Sequence, residues 1–449
     1  VRCMRLAIIY GIQKRNKKSL RSTTKSLRKL MTKKSIFKAK RVANENVSAW
    51  LDDHAVVVEN GVITAVEPTS NIAGTNESYE VFDLGNKSVL PGLIDAHSHM
   101  HCSATPEAQA LALTENVQQL TIRATNNMRK AVLAGVTTIR DLGSRNEVAF
   151  QVREMINDGH VPGPRLLLAG TPITITAGHC WFFGTEADTE DQVRQAVRTR
   201  VKLGANVIKM MATGGMFTPT ANPRKPQYSV KTLKAAVEEA HRVNIPIVTH
   251  TLSAQGVKNV VEAGVDHLIH SRWYHADPTQ GLDYDPLTVE QMVDNGQWVD
   301  PTIGHHLLGQ EAKERGEPGP SDPHWSVSST VVAEHEHIDT LNRMHDAGVR
   351  FTTGLDMGMP YGTHDRSCAN AWAFVETLGW SNWKAIHANT AGTAEALGLN
   401  KEIGKLKKGH VADIAVFKGD PSKEIRDMDC ASTVVKSGQV IKLNDKVLV

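Results

Sequence analysis

The stretch Ser88-Val-Leu-Pro-Gly-Leu-Ile-Asp-Ala-His-Ser-His99 decides the fold class. A short apolar strand is opened by Pro91-Gly92 and ends in two histidines, His97 and His99, that are separated by one residue. Side chains alternate across a strand, so both imidazoles project to the same side, about two strand rises apart. One metal ion can reach both of them. Because histidines two apart also occur by chance in cores and on surfaces, this pair alone does not establish a metal site.

Four later apolar runs end in the same way, each in a polar side chain that can lie near a metal ion. The lysine in the run 204–215 is unusual, because a buried ammonium group must be paired or lose its charge. Helical patterns separate the runs. In a (β/α)8 barrel such strand ends converge on one face, where the active site is built. The side chains that end these four runs are Lys209, His250, His270 and Asp356.

The order of predicted elements indicates an α/β protein. Strands alternate with helical patterns at the spacing that alternating β and α structure requires, so we predict a (β/α)8 TIM barrel over residues 92–399. One of the helices is expected to start at Ser229, a plausible N-cap. The eight strand candidates lie near residues 93–97, 136–140, 165–169, 206–211, 246–250, 265–270, 297–302 and 349–354.

Short strands and turns flank the predicted barrel on both sides. The segment 55–66 is predicted to form a β-hairpin around Asn60-Gly61, a strong turn pair, and the chain end repeats this pattern. We therefore predict that residues 31–91 and 400–449 form a small composite β-sandwich domain.

The six polar residues, taken in order, resemble the ligand set of the amidohydrolase superfamily with a binuclear metal centre. The resemblance covers roughly residues 45–440 and fills all six ligand positions. It implies that His97, His99 and Asp356 bind one divalent ion and that His250 and His270 bind the other. Lys209, carboxylated by CO2, would bridge the two ions together with a hydroxide. Imidazole and carbamate ligands suit Zn²⁺, with Mn²⁺, Co²⁺ or Fe²⁺ possible in the same site. The alternative is a set of ordinary histidines and an aspartate that pairs with the lysine in a metal-poor barrel.

The resemblance also implies a mechanism. Two divalent ions lower the pKa of a shared water and polarise a carbonyl, while Asp356 takes the hydroxide proton and passes it to the leaving amine. His179 is predicted to hydrogen-bond the substrate carbonyl and Tyr228 to donate to the same oxyanion, although either can be a packed turn residue. The run 334–337, Glu-His-Glu-His, resembles a metal motif but is predicted to be a solvated helical face.

Differences between branches of the superfamily narrow the predicted reaction. Deaminases generally carry a glutamate three residues beyond the third histidine, whereas Ser253 stands there and Lys209 is present. The blocks 204–215 and 264–270 resemble prolidase-type and Xaa-Arg/Lys dipeptidases, and the overall sequence style resembles imidazolonepropionase-like members. We therefore predict hydrolysis of an amide bond in a dipeptide or an N-acyl amino acid. The alternatives are a cyclic amide, carbamate or urea hydrolase and, from another class, a non-catalytic barrel that serves as an interaction protein.

Composition limits the partners and the compartment. Five scattered cysteines with no C-x-x-C pair favour a reducing compartment, so we predict a cytoplasmic protein. Residues 1–30 carry ten Lys/Arg and no acid, and we expect this basic leader to be disordered or not native. The remaining chain has 41 Lys/Arg against 48 Asp/Glu, a net charge of −7 that gives no support to nucleic-acid binding. No stretch approaches the ~20 apolar residues of a membrane span. We expect a homo-oligomer that acts on a small-molecule substrate.

Overall fold

The computed structural model describes residues 34–72, 79–319, 332 and 334–449. The predicted basic leader, residues 1–30, lies outside the described residues. Each of the eight strands that the sequence predicts has a counterpart in the structure. These strands are Leu93–Ser98, Val136–Asp141, Arg165–Leu168, Ile208–Met211, Ile247–Ser253, His267–Tyr274, Trp298–Asp300 and Arg350–Phe351.

Helices follow most of these strands and bury one apolar face each. The helix Val230–His241 begins at the predicted cap, where the Ser229 hydroxyl accepts a hydrogen bond from the backbone N–H of Thr232. It buries Leu233 and Ala240, which stand seven residues apart on one face. The described α-helices are Ala108–Thr114, Val117–Ala134, Val148–Asn157, Glu190–Lys202, Val230–His241, Ala254–Ala263, Pro286–Asp294, Ile303–Glu314, Glu334–Asp346, Ala369–Glu376, Asn382–His387 and Thr393–Ala396.

The eight strands pair in parallel, in chain order, within two sheets. The first three form one sheet, and the other five form a second sheet with the short strands Ile173–Thr174 and Thr185–Glu186. Backbone hydrogen bonds connect the two sheets on both sides. The Asn206 N–H donates to the Leu168 carbonyl at 2.8 Å, and the Ala96 N–H donates to the Thr353 carbonyl at 2.8 Å. The α/β class is as predicted, and the closed barrel stays a prediction.

The two terminal segments share one mixed sheet of nine strands. The central strand Ser88–Pro91 pairs in parallel with the N-terminal strand and antiparallel with Ile414–Phe417. The predicted hairpin is present, with φ of 53° at Asn60 and 80° at Gly61. The sandwich form of this region stays a prediction. The nine strands are Lys34–Ala43, Trp50–Glu59, Val62–Pro68, Tyr79–Asp83, Ser88–Pro91, Ile414–Phe417, Thr433–Lys436, Gln439–Leu443 and Lys446–Val447.

Gly92 joins the terminal sheet to the first of the parallel strands. A Cβ at this position would lie 2.1 Å from the Thr137 hydroxyl oxygen, so only glycine allows the neighbouring strand to approach this closely. The chain passes directly from Pro91 in the terminal sheet to Leu93 in the parallel sheet. This junction sets the direction in which the strand that carries His97 and His99 enters the core.

Candidate metal centre

The six predicted ligand residues line a single cavity of about 850 Å³. Four of them lie in parallel strands that are far apart in sequence, while His99 directly follows the first of these strands and Asp356 follows the strand Arg350–Phe351. Their convergence follows from the parallel order of the strands. Lys209 is only 2% exposed and His97 is 1% exposed, so both side chains are almost completely buried. The six residues are His97, His99, Lys209, His250, His270 and Asp356.

Three of these side chains form a compact cluster. One ligand atom each from His97, His99 and Asp356 lies within 4.8 Å of the others. The Oδ1 atom of Asp356 stands 3.3 Å from Nε2 of His97 and 3.3 Å from Nε2 of His99. This oxygen is buried and has no hydrogen-bond partner among the described residues. A buried, unpaired carboxylate oxygen beside two imidazole nitrogens is costly by itself and fits a divalent cation.

The two imidazoles of this cluster differ in what their other ring nitrogen contacts. The Nδ1–H of His99 donates to the Gly143 carbonyl at 3.0 Å, which leaves Nε2 free to bind a metal ion. Such a partner fixes the tautomer and direction of a metal-binding histidine. Nδ1 of His97 faces the buried Oδ2 of Asp300 at 3.4 Å, and neither atom has a hydrogen-bond partner among the described residues. Sequence reasoning missed Asp300, although its position at the end of the seventh predicted strand was a usable signal.

His250 and His270 continue the cluster toward Lys209. Their ring centroids are 4.8 Å apart, and the rings of His97 and His270 are 5.7 Å apart. Nε2 of His250 donates to the Gly214 carbonyl at 3.2 Å, and Nδ1 of His270 lies 2.8 Å from the Thr302 hydroxyl. The second predicted ligand group is therefore contiguous with the first.

Burial sets the charge state of these side chains. It lowers the pKa of His97, His250 and His270 well below the usual histidine range, so they are neutral near pH 7, the form that binds metal. Burial also lowers the pKa of Lys209 to about 8, an effect that the charge of Asp356 opposes. A larger fraction of this amine is thus neutral than in an exposed lysine.

The backbone is strained at several residues that line the cavity. His270, Thr302 and Asp356 have φ of 70°, 50° and 58°, in the left-handed region that residues with a Cβ rarely adopt. The Thr302 N–H donates to Oδ1 of Asp300 at 3.0 Å, which helps to hold this conformation. Strain of this kind persists only where the surroundings fix it, and it concentrates at functional sites.

The two other predicted catalytic residues have different placements. His179 lines the cavity, with its ring 4.3 Å from that of His250 and its Nδ1 without a partner among the described residues. Tyr228 does not line this cavity: its hydroxyl is buried and donates to the Ala187 carbonyl at 2.8 Å. The expectation that Tyr228 contacts an oxyanion is therefore withdrawn, because a backbone acceptor holds its only proton.

One cavity residue lies in a segment that was predicted to be solvated. The run 334–337 is helical as expected, but His337 is only 3% exposed and lines the cavity. It shares a helix face with Leu341 and Met344, which are fully buried. The spacing of these three residues, four and then three apart, was a signal for an inward-facing histidine.

These observations define the class: an α/β protein with a candidate metal centre at the carboxyl ends of parallel strands. The chain belongs to the amidohydrolase family, whose model matches residues 88–441. Members of this family are typically metal-binding hydrolases.

Individual relatives are distant but cover most of the chain. Ochratoxinase from Aspergillus niger is 25% identical over 87% of this chain and 83% of its own length. Imidazolonepropionase from Bacillus velezensis is 23% identical over 77% of this chain and 79% of its own length. The solved structure of an Xaa-Pro dipeptidase with methionine bound in its active site matches with a TM-score of 0.77 and 25% identity, over 91% of this chain and all of that one.

Among the described residues, no helix combines the length and the apolar character that crossing a membrane would require.

Proposed function

We propose that this chain hydrolyses the amide C–N bond of a dipeptide or an N-acyl amino acid. The reaction would use two divalent metal ions, for which we propose zinc. The observation that carries the proposal is the convergence of His97, His99 and Asp356 within 4.8 Å in the wall of a large cavity. Membership of the amidohydrolase family and similarity to a dipeptidase structure support the same reaction.

The framework that we infer is a closed (β/α)8 barrel over residues 92–399, with the site on its carboxyl-terminal face. The hydrogen bonds from Asn206 to Leu168 and from Ala96 to Thr353 support closure, because they join the two parallel sheets on both sides. Residues 31–91 and 400–449 would form the composite sandwich beside it. Active sites of such barrels lie at the ends of several strands.

The ligand assignment follows the two groups of side chains. His97, His99 and Asp356 would hold one ion, and His250 and His270 the other. Lys209 lies in the same cavity and would bridge the two ions after its neutral amine attacks the carbon of CO2 and loses a proton, which yields an anionic carbamate. The lowered pKa of Lys209 supports this step, since only the neutral amine is nucleophilic. Without it, a charged ammonium would repel both ions.

Two bound ions would lower the pKa of a shared water and polarise the amide carbonyl. The remaining work falls to the side chains of this chain. Asp356 accepts a proton from the attacking water and transfers it to the amine nitrogen as the C–N bond breaks. His179 donates a hydrogen bond from a ring nitrogen to the carbonyl oxygen of the substrate. Its Nδ1 has no partner among the described residues and is available for this bond.

The reaction is tested with metal-loaded protein on a library of dipeptides and N-acyl amino acids, with hydantoins and carbamates as comparison substrates. We expect release of amine from the open-chain amides, and loss of this activity on chelation. Preferential turnover of hydantoins or carbamates would replace the proposal by the cyclic amide, carbamate or urea alternative. Fully metallated protein that hydrolyses none of them would contradict it.

Lys209 is tested by substitution with alanine. Lys209→Ala is expected to remove the bridge and most activity, with partial recovery in bicarbonate or short carboxylic acids, which supply a bridging carboxylate. Lys202→Ala is the control, because Lys202 is an exposed lysine at the end of a nearby helix. If Lys209→Ala retained both ions and near-normal turnover, the carbamate assignment would be wrong.

A further inference from the structure

The cavity has one apolar wall. Phe183, Met211, Phe217 and Met359 line it and belong to a single buried cluster of apolar side chains. Most of this wall comes from the segments that follow the third and fourth parallel strands, at residues 180–183 and 211–217. An apolar group of the substrate gains free energy here by leaving water.

A different wall carries a positive charge. Arg272 stands two residues beyond His270 in the strand His267–Tyr274, is partly buried and lines the cavity. Among the described residues it forms no ion pair and no hydrogen bond. The acidic side chains among the described lining residues are Asp356, which belongs to the ligand cluster, and Glu314, which is exposed. An arginine that faces a cavity without a carboxylate partner can bind an anion.

His337 lies within electrostatic reach of Arg272 and is also unsatisfied. It is 3% exposed, it lines the cavity, and neither ring nitrogen has a hydrogen-bond partner among the described residues. Arg272 lines the same cavity as His337, His305 and His270. Its charge adds to burial in lowering the pKa of His337. Buried polar groups without partners are rare in folded proteins and cost free energy, so this pair is suited to receive a ligand.

We propose that Arg272 and His337 bind the carboxylate of the amino-acid half of the substrate, while the apolar wall around Phe183 contacts its acyl half. The inference rests on the proposed hydrolysis of dipeptides or N-acyl amino acids and assigns the residues that recognise their free carboxylate. Guanidinium groups bind carboxylates through two parallel hydrogen bonds, and a neutral imidazole adds one N–H donor. Tyr228 cannot supply such a donor, because its hydroxyl is held by Ala187.

The probes are N-hexanoyl derivatives of L-amino acids and the matched C-terminal carboxamides, which keep size and shape but remove the negative charge. With the metal-loaded enzyme we expect kcat/KM for the acids to exceed that for the carboxamides by roughly 10²-fold or more, since a site built for a polar group rejects its analogue strongly. Arg272→Gln is expected to remove most of this preference, mainly through a higher KM for the acids. Arg272→Lys keeps the positive charge but loses the planar guanidinium group, and it is expected to retain part of the preference for the acids.

Lys313→Gln is the matched control, because it removes the same charge from an exposed position at the same cavity. It is expected to change the preference less than about threefold, as a screened surface charge does. Equal turnover of acids and carboxamides by the wild type would overturn the inference and leave amide hydrolysis standing. An equal loss of kcat/KM for the acids and the carboxamides in Arg272→Gln would also overturn the inference and leave amide hydrolysis standing.

If no amide is hydrolysed, the proposed function fails. The binding of N-hexanoyl-L-phenylalanine, measured by calorimetry, then tests the carboxylate site separately. Binding by the wild type that weakens at least about tenfold in Arg272→Gln would support the carboxylate site. No binding, or equal binding by both proteins, would overturn it.

Discussion

The two halves of the candidate metal centre are held in different ways. Around His97 and His99, a backbone carbonyl accepts a hydrogen bond from His99, and the buried carboxyl group of Asp300 faces His97. The ligand atoms of this half already lie within 4.8 Å of one another. Around His250 and His270, the orienting partners are a carbonyl and a hydroxyl, and the adjacent side chain is an amine. The three ligand atoms of the first half lie together in the folded chain, whereas in our proposal the second half also needs Lys209 to change its charge.

This difference gives the two halves distinct expected behaviour. In the proposed centre, three side chains that the fold already brings together would hold the ion at the first half. The ion at the second half would depend more on the proposed carbamate, because His250 and His270 supply only two ligands to it. We therefore expect variants at Lys209 to lose the second ion in preference to the first.

The largest effect is expected from Asp356, which would serve both as a ligand and in proton transfer. Asp356→Asn keeps nearly the same size and a carbonyl oxygen, so it should retain the fold and much of the metal. It cannot accept a proton, and removal of a positioned acid–base group typically lowers the rate about 10²–10⁴-fold. Steady-state kinetics with metal analysis of the same sample checks this, and the acidic limb of the pH–rate profile should change.

Asp346→Asn provides the control for this experiment, because Asp346 lies at the exposed end of a helix with 83% of its side chain accessible. Turnover by fully metallated Asp356→Asn within a few-fold of the wild type would assign the proton transfer to another residue. His270 and His179 would be the first candidates.

A smaller effect is expected from Asp300, which faces His97 but is not a proposed metal ligand. Asp300→Asn removes the carboxylate that faces Nδ1 of His97 but leaves every proposed ligand in place. Loss of such a partner typically weakens metal affinity or activity about 10–100-fold. Competition with a chelator, followed for both ions, should show the loss mainly at the half that contains His97. Equal weakening at both halves would contradict the separate anchoring described above.

The smallest effect on activity is expected from Tyr228, which neither half contacts. Tyr228→Phe should leave kcat/KM within about twofold of the wild type. It should lower the free energy of unfolding by about 1–2 kcal/mol, because the buried Ala187 carbonyl loses its donor. Urea denaturation and the amide assay measure the two quantities. A large fall in kcat with unchanged stability would restore the catalytic role that the sequence suggested.

The strand-end residues could be predicted because two simple rules place them. Alternation puts His97 and His99 on one side of a strand, and parallel strands bring their carboxyl ends together. These rules act on short segments, and the structure brings Lys209, His250 and His270 to the same cavity. Rules for turn pairs and helix caps, which also act on short segments, located the hairpin at Asn60-Gly61 and the helix start at Ser229.

Residues whose direction depends on distant contacts could not be placed in this way. Tyr228 turns toward the Ala187 carbonyl, 41 residues earlier in the chain, and nothing in its own segment indicates that partner. His337 was misjudged because two glutamates beside it suggested a solvated face, while the deciding contacts come through Leu341 and Met344. The left-handed backbone at Thr302 is one that β-branched residues rarely adopt, and the hydrogen bond from its N–H to Asp300 helps to hold it.

Metal stoichiometry tests the central claim most directly. Elemental analysis of protein that is active on amides should give about two divalent ions per chain, because five side chains and a carbamate exceed what one ion requires. Lys209→Ala measured in parallel should give about one. Fully active protein with a single ion per chain would contradict the binuclear account.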